Sequence, residues 1–269
     1  MNTLQDDKAG KAFWDKNWSL LPPELLDLDD HRLRNEINLR FHELFCGLID
    51  PRRDAGKRLL EVGCARSVWL PYFARQHGLR VAGLDYSEEG CKQSEAVLAS
   101  AGVQGDVHCA DMFQPPADLL GAFDYLFTLG VIEHFTDTAG TLAALAKYMR
   151  PGGRVMTVIP NMRGSTGALQ QWADSAVFET HVPLDPVGLA KSHTAAGLLV
   201  ERCDYFIATN YYVVNALQQK GKPLYPAIRA ASGLLGRASM GVWQLERLFG
   251  RLPAVQAFSP YVICIARSP

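Results

Sequence analysis

The fold is decided by the stretch RLLEVGCARS at residues 58–67, together with RVAGLD at residues 80–85. In the first stretch an apolar run stops at Gly63, and a helical pattern of apolar residues begins soon afterwards at Trp69. This order is typical of a buried parallel strand, a tight turn and a helix that packs back onto the sheet. The second stretch ends in Asp85, a position from which a carboxylate can reach the two hydroxyl groups of a ribose.

The turn after the first strand lacks two of the three glycines of a dinucleotide site. NAD and FAD sites carry the pattern G-x-G-x-x-G, because a pyrophosphate lies against bare backbone at the start of a helix. The three positions here are Gly63, Ala65 and Val68. The sequence therefore disfavours a NAD-linked oxidoreductase and favours a ligand with an adenosine but no phosphates, such as S-adenosylmethionine (SAM). Glu61, just before the turn, can pair with the amino group of such a ligand.

Five short motifs follow one another between residues 58 and 159. They are Glu61-Val-Gly63-Cys-Ala65, Leu84-Asp85, Ala110-Asp111, Gly130-Val-Ile-Glu133-His134 and Pro151-Gly152-Gly153. Together they resemble the ordered motifs of class I SAM-dependent methyltransferases. The resemblance implies SAM as the cofactor, S-adenosylhomocysteine as its product, and transfer of a methyl group to an acceptor.

The resemblance also implies which residues bind the cofactor. Asp85 would bind the ribose, Asp111 would accept a hydrogen bond from the adenine amino group, and Met112 would flank the adenine ring. A plain turn or helix-capping role is the alternative for Asp111. The complete expected set is Glu61, Gly63, Ala65, Asp85, Tyr86, Asp111, Met112, Leu129 and Gly130.

Strands and helices alternate five times through the first part of the chain. Apolar runs predict strands at residues 59–62, 81–84, 106–110, 123–129, 154–159, 198–208 and 255–267. A helix is predicted at residues 141–150, followed by a turn at Pro151-Gly152-Gly153. The alternation predicts an α/β fold with a doubly wound, mostly parallel sheet. The resembled family adds that the sheet has seven strands and that the last one is antiparallel.

The predicted domain organisation is an N-terminal helical lid at residues 1–50 and a SAM-binding core at residues 51–269. Two long excursions leave the carboxyl ends of strands, at about residues 160–185 and 210–254. Such excursions are where α/β enzymes build substrate pockets. We expect both to be insertions in the core, the second of them an inserted helical cap.

Five side chains are candidates for contact with the substrate: Trp14, Trp18, Arg163, Trp172 and His181. The first two lie four residues apart and would share one face of a helix. They either belong to a lid that closes over SAM, as N-terminal segments do in the resembled family, or simply pack on the surface of the domain. Arg163 can bind a carboxylate or phosphate, with a structural salt bridge as the alternative.

Methyl transfer from a sulfonium is an in-line displacement in which alignment matters most. A base is needed only when the acceptor arrives protonated, as a hydroxyl does. The candidate catalytic bases are His134 and His181, since the pKa of a histidine normally lies near working pH. The alternatives are a structural role in the loop for His134 and an exposed position for His181. His193 lies inside a predicted helix and is expected to be solvated.

The predicted function is methylation of a small, partly hydrophobic molecule, at oxygen by preference. That preference rests on the histidines and on likeness of fold. An N- or C-methyltransferase of the same fold is the first alternative. A NAD-linked oxidoreductase and a non-catalytic domain that binds SAM or a partner are the others.

Composition narrows the partners and the compartment. The 269 residues are 48% hydrophobic with a formal net charge of −1, which gives no attraction to nucleic acid. Six cysteines lie far apart without the spacing of a zinc site, so no metal is expected. No signal peptide or transmembrane run is recognisable, and the expected location is cytoplasmic. The basic, amphipathic segment 220–251 is a cap, a homodimer contact or an interfacial membrane helix, the first two being favoured.

Overall fold

Seven strands form one sheet in a computed structural model that describes residues 7–18, 25–216 and 219–269, without the side chains of residues 16–18. The strands are β1 (Arg58–Val62), β2 (Arg80–Asp85), β3 (Gly105–Cys109), β4 (Phe123–Leu129), β5 (Met149–Pro160), β6 (Leu199–Phe206) and β7 (Tyr261–Arg267). Their order is β3-β2-β1-β4-β5-β7-β6. β7 runs antiparallel to β5 and β6, whereas the other neighbours pair in parallel. The predicted mostly parallel sheet with an antiparallel last strand is confirmed.

Helices cover both faces of the sheet. They are α1 (Lys11–Trp18), α2 (Glu36–Leu48), α3 (Pro51–Asp54), α4 (Trp69–His77), α5 (Glu88–Ser100), α6 (Thr138–Ala146), α7 (Ser165–Ala173), α8 (Ser175–Glu179), α9 (Pro186–Ala195) and α10 (Tyr225–Phe249). Buried residues of α2 and α4 share one hydrophobic core with the sheet, and those of α6 and α9 share a second core on the opposite face. Among the described helices, none is long and apolar enough to cross a membrane.

An aromatic cluster joins α2 to the sheet. Phe45 of α2 lies 4.8 Å from Phe73 of α4 and 5.4 Å from Phe127 of β4, measured between ring centroids. All three rings are fully buried, and edge-to-face pairs of this kind add to the free energy gained by burial. α2 is therefore packed firmly against the core. The predicted division into a lid at residues 1–50 and a core at residues 51–269 stays a prediction.

The predicted helix at residues 141–150 and the separate turn that follows it are wrong in their boundaries. The helix ends at Ala146, and β5 already begins at Met149. Met149 pairs with Phe123 of β4, yet the next pairs in register join Arg154 to Tyr125. The residues between Met149 and Arg154 bulge out of the ladder, so Pro151-Gly152-Gly153 forms its bend inside a strand.

The last strand is also shorter than predicted, because β7 starts at Tyr261 and not at residue 255. A turn precedes it, in which Val255 N donates to Ser259 Oγ at 2.8 Å. The carbonyl of Ser259 in turn accepts a hydrogen bond from Asn161 Nδ2 at 2.9 Å. These bonds take residues 255–260 out of the sheet. The preceding excursion contains the 25-residue helix α10.

An ion network fastens α10 to α2. The buried carboxylate of Glu36 accepts hydrogen bonds from Arg247 at 2.6 Å and from Arg251 at 2.8 Å, and Arg40 lies 3.6 Å away. Arg40 also reaches Glu246, on the inner side of α10, at 3.5 Å. Buried charges are costly unless they are paired, so the network fixes how α10 lies on the core.

Replacing Glu36 by alanine should lower the free energy of unfolding by about 3–5 kcal/mol, because the buried Arg40 guanidinium group loses one of its two buried carboxylate partners. Urea denaturation measures this change. The matched control is Glu43→Ala, which removes the other acceptor of Arg251 at a site where the carboxylate side chain is 56% exposed. An exposed pair contributes at most about 1 kcal/mol, and equal losses in the two variants would contradict the network's structural role.

Candidate active site

A cavity opens where the carboxyl ends of β3, β2, β1 and β4 meet. The strand order reverses between β1 and β4, and such a reversal leaves a crevice in which α/β proteins bind ligands. The space inside this cavity, including the part that is open to solvent, is about 640 Å³. It is lined by Asp7, Trp14, Val62, Gly63, Leu84, Asp85, Tyr86, Ala110, Met112, Leu129, Gly130, Val131, His134 and Phe135.

Gly63 forms the turn at the end of β1, where a side chain would not fit. Its φ of +75° lies in the left-handed region, which favours glycine. A Cβ atom at this position would stand 2.3 Å from Cγ2 of Val131 in the loop after β4. The two loops therefore approach closely, and their backbones form one wall of the cavity.

Asp85 lines the same cavity at the end of β2. Its Oδ2 accepts a hydrogen bond from Ala65 N at 3.0 Å, and its Oδ1 accepts one from Ser87 N at 2.8 Å. Each carboxylate oxygen keeps a further lone pair, so both can still accept from the hydroxyls of a ribose. Burial raises the pKa of Asp85, and a cationic ligand nearby would favour its charged form.

Glu61 lies beside the turn and outside the lining of the cavity. Its carboxyl group accepts a hydrogen bond from Ser67 Oγ. The same Ser67 oxygen accepts from Trp69 N at 3.0 Å and Leu70 N at 3.2 Å, at the start of α4. Burial raises the pKa of Glu61 to about 8. In this structure Glu61 holds the helix start, and its contact with a cofactor amino group stays a prediction.

Two other expected cofactor residues have side chains outside the lining. Ala65 contributes its backbone N–H to Asp85, while its Cβ packs against Gly90, where an added Cβ would stand 2.6 Å away. Asp111 Oδ1 accepts from Phe113 N at 2.8 Å, and its Oδ2 accepts from Gln114 Nε2 at 3.1 Å. Asp111 thus stabilises its own turn, and its role toward adenine remains a prediction.

Residues 7–15 cross over the cavity. Tyr86 Oη donates to Asp7 Oδ2 at 2.6 Å, and Ser87 Oγ donates to Asp15 Oδ1, also at 2.6 Å. Burial, followed by the nearby Asp7 carboxylate, raises the pKa of Tyr86. Trp14 lines the cavity beside His134, with ring centroids 5.1 Å apart. The side chain of Trp18 lies outside the described residues.

His134 and His181 lie side by side although they are far apart in the sequence. Thr180, the residue before His181, is 46 positions from His134. Their ring centroids are 4.7 Å apart. His134 Nδ1 donates to Thr180 O at 2.8 Å, and His181 Nδ1 donates to Val177 O at 2.8 Å. Each histidine therefore carries its proton on Nδ1 and presents Nε2 as an acceptor. Burial lowers the pKa of both, that of His134 to about 4.

Glu133 completes a cluster with these two histidines. Its carboxyl oxygens are buried without a hydrogen-bond partner among the described residues, and burial raises its pKa to about 8. One of them lies 4.0 Å from His134 Nε2. Ligand atoms of Glu133, His134 and His181 all lie within 4.8 Å of one another, close enough to hold a metal ion. No local spacing could reveal this set, because His181 reaches it only through the fold.

Two expected substrate residues and one histidine lie elsewhere. Arg163 forms a salt bridge with Asp185 at 2.7 Å, and Trp172 is 57% exposed; neither lines the cavity. The expectation that His193 is solvated is wrong. It is fully buried and bonds Thr157 of β5 at 3.0 Å, because its face of α9 packs against the sheet.

Asp7 and Glu133 lie at the site but were not predicted from the sequence. Glu133 was visible inside the motif before His134, but nothing local shows that its carboxyl group lacks a partner. Asp7 reaches the cavity because it forms an isolated β-bridge with Phe135. Neighbours in sequence carry no signal for such a long-range pairing.

The decisive comparison is with a family model described as "Methyltransferase domain", which matches residues 30–201. The chain belongs to this family. It carries a methyltransferase domain of the SAM-dependent class, as the motifs indicated.

This chain has curated relatives among the O-methyltransferases. It is 36% identical over 101 residues to the ubiquinone biosynthesis O-methyltransferase of Aromatoleum aromaticum, a match that covers 38% of this chain and 43% of the relative. The chain thus spans about half the length of the curated relatives it matches.

Solved structures share its fold at low identity. The [4+2]-cyclase SpnF is 16% identical with a TM-score of 0.63 over 98% of this chain and 96% of that one. The phosphoethanolamine N-methyltransferase 2 of Haemonchus contortus, solved with SAM, is 12% identical with a TM-score of 0.58 over 100% and 60% of the two chains. At these identities the likeness shows the fold alone.

The buried acid Glu61 should make the stability of the methyltransferase depend on pH. Its folded-state pKa of about 8 lies above the ordinary value, so the folded state binds the proton more tightly. Its contribution is complete at acidic pH and is lost as pH rises toward about 8, by at most about 1.4 kcal/mol per pH unit. Urea denaturation of Glu61→Gln and the unchanged protein at pH 5 and pH 8 measures the difference. An identical pH dependence in both proteins would refute it.

Replacing Asp85 by alanine should weaken the binding of S-adenosylhomocysteine, because the ribose loses its two acceptors. A loss of about 2 kcal/mol corresponds to roughly 30-fold in Kd, which isothermal titration calorimetry detects. The control is Asp106→Asn, at an exposed carboxylate on β3, and its affinity should not change. Unaltered affinity in a folded Asp85→Ala protein would remove this carboxylate from the site.

Proposed function

We propose that the enzyme methylates a hydroxyl group on a small, partly apolar molecule, with His134 as the base. The observation that carries this proposal is the hydrogen bond from His134 Nδ1 to Thr180 O. It leaves Nε2 unprotonated on a histidine that lines the cavity. An oxygen acceptor needs such a group, since a hydroxyl must lose its proton when it gains a methyl group.

The environment of His134 suits a base that stays neutral until the reaction occurs. The side chain is 4% exposed, and burial together with His181 lowers its pKa to about 4. His134 is therefore in its basic form throughout the neutral range. A weak base suffices here, because the hydroxyl becomes strongly acidic as its oxygen bonds to carbon, and the proton then moves readily to Nε2.

When bound, SAM supplies a methyl group already activated by the positive charge on sulfur. The walls built by Gly63, Asp85 and Gly130 would hold it in one orientation, and alignment can supply up to about 7–11 kcal/mol of the barrier. Bound there, SAM would supply its methyl group to the acceptor oxygen. His134 Nε2 would take the proton that the hydroxyl loses.

The shape and chemistry of the cavity support an apolar or aromatic acceptor. Trp14, Val131 and Phe135 contribute apolar surface to the lining. The matched ubiquinone biosynthesis O-methyltransferases act at oxygen by their names, which favours oxygen over nitrogen or carbon. A small hydroxylated aromatic molecule would pack its ring against the apolar lining and present a hydroxyl proton to His134 Nε2.

We further propose that residues 7–18 act as a lid over the cavity. Asp7 bonds Tyr86, Asp15 bonds Ser87, and Lys8 Nζ donates to His181 O at 2.9 Å. These contacts join the segment to the loop after β2 and to the backbone at His181. Covering the reactants excludes water, which strengthens the electrostatic interactions inside the site.

An amine acceptor is the competing possibility within the family. It can arrive without a proton on its lone pair and then needs no base. A cyclase reaction, catalysed by one protein whose fold this chain shares, transfers no methyl group to a hydroxyl and so does not need this base either. The importance of His134 for turnover therefore separates O-methylation from these alternatives.

His134→Gln should lower kcat for a hydroxylated aromatic substrate by about 10²- to 10⁴-fold, the usual contribution of a positioned base. The substrate is the best one found in a panel of phenols, catechols and matched anilines, assayed by release of S-adenosylhomocysteine. Because Gln keeps a similar size, the Kd for S-adenosylhomocysteine should stay within about twofold.

His31→Gln is the matched control, since it makes the same replacement at an exposed position and should leave kcat unchanged. Full turnover in His134→Gln, or methylation of anilines alone, would exclude the proposed base. Binding of S-adenosylhomocysteine with no turnover of any compound would favour a non-catalytic role.

A further inference from the structure

The long helix α10 has an inner face that is firmly attached to the core. Its buried residues are Ile228, Gly236, Ser239, Trp243 and Glu246. Trp243 Nε1 donates to Thr209 O at 2.8 Å. Gly236 lies so close to Tyr212 that a Cβ atom would stand 2.5 Å from the tyrosine ring. These contacts fix the rotation of the helix about its own axis.

The opposite face of α10 carries an apolar stripe that we call the outer seam. Its members follow one another at intervals of three and four residues, and they are Ala231, Leu234, Ala238, Gly241, Leu245 and Leu248. Leu234 is 66% exposed and Leu248 is 64% exposed. This spacing is that of a coiled-coil seam, and an apolar row of this length on a surface indicates an interaction site.

We propose that the outer seam packs against the outer seam of a second copy of this chain, with the two helices antiparallel. A two-fold axis near residues 239 and 240 places Ala238 opposite Gly241 of the second copy. Leu234 then lies opposite Leu245. In a two-fold symmetric dimer both copies use the same surface in the interface, so each outer seam is buried against the other.

The sizes of the seam residues agree with this register. Helices that cross at an angle lie closest at the crossing point, where Ala238 and Gly241 leave room for close approach. The leucines lie one turn further out, where the helices diverge and larger side chains fill the space. Ala231 opposite Leu248 continues the pairing with a small residue against a large one.

The residues that flank the seam favour the antiparallel arrangement. In an antiparallel pair each flank meets the same flank of the second copy, which puts Arg237 opposite Gln244 and Leu235 opposite Val242. Polar side chains then meet polar ones, apolar side chains meet apolar ones, and no like charges face each other. A parallel pair would bring the Arg237 flank against the Val242 flank and desolvate the guanidinium without a partner.

The competing occupant is an anionic bilayer, because Arg229 and Arg237 give the exposed side of α10 a basic character. Half of the outer seam, however, consists of alanine and glycine, which offer little apolar surface to a membrane. Small residues suit close packing of two helices better. The second copy is therefore the occupant that the seam fits.

Sedimentation velocity and light scattering on the full chain test the proposal. The unchanged protein should have twice the chain mass of 29.7 kDa, and Ala238→Glu should halve the measured mass while its melting temperature shows that it remains folded. The matched control is Arg229→Ala, which changes the net charge by the same amount at an exposed position outside the seam. It should remain a dimer.

Cysteine cross-linking tests the register. In a background of Cys46→Ser and Cys109→Ser, which removes the exposed thiols, Ala238→Cys and Gly241→Cys proteins are oxidised separately and as a mixture. Antiparallel pairing predicts that the mixture cross-links far more than either protein alone. Efficient cross-linking of Ala238→Cys with itself would overturn the antiparallel arrangement.

Two further outcomes would overturn the proposed dimer. One is a monomeric mass for the unchanged protein at every concentration tested. The other is flotation of the protein with phosphatidylglycerol vesicles that is lost in Ala238→Glu, with no change in oligomeric state. That result would assign the outer seam to a lipid surface.

Discussion

One buried carboxylate connects the parts of the site. Asp85 ends β2, yet its two oxygens accept hydrogen bonds from Ala65 in the turn after β1 and from Ser87 at the start of α5. A buried carboxylate needs such partners to offset the loss of water, so the turn and the helix start cannot move apart without cost. Ser87 also binds Asp15 through its hydroxyl. The segment that crosses the cavity is thereby joined to the same point.

The sequence predicted what depends on local chemistry. Gly63 and Asp85 follow from turn and strand-end preferences, and the structure has them at the carboxyl ends of β1 and β2. Features that depend on pairing between distant residues were not predictable. The start of β5 at Met149 depends on its register with β4, and the contact between His134 and His181 depends on the path of the excursion after β5. Hydrophobic pattern describes which face of an element is buried, but not which distant residue lies against it.

The same burial that shapes the site also disfavours charge on its ionisable groups. Burial raises the pKa values of Asp85 and Glu133 and lowers that of His134, since a low-dielectric environment penalises every charged form. A ligand that carries a sulfonium brings a positive charge into this environment and favours ionised carboxyl groups close to it. A pyrophosphate would bring the opposite charge and would meet the carboxyl groups of Asp7 and Asp85 on the lining. The electrostatics of the cavity and its missing glycines therefore select against the same class of ligand.

The orientation of α10 follows from charge more than from its apolar residues. Apolar side chains occur on both the inner face and the outer seam, so hydrophobic burial alone would allow either face to turn toward the core. Glu246 lies on one face only, where it meets Arg40 at 3.5 Å, and Arg40 in turn lies near Glu36. Turning the helix would leave Arg40 buried without one of its carboxylates, at a cost of several kcal/mol. The ion network therefore commits one apolar face to the core and leaves the other directed outward.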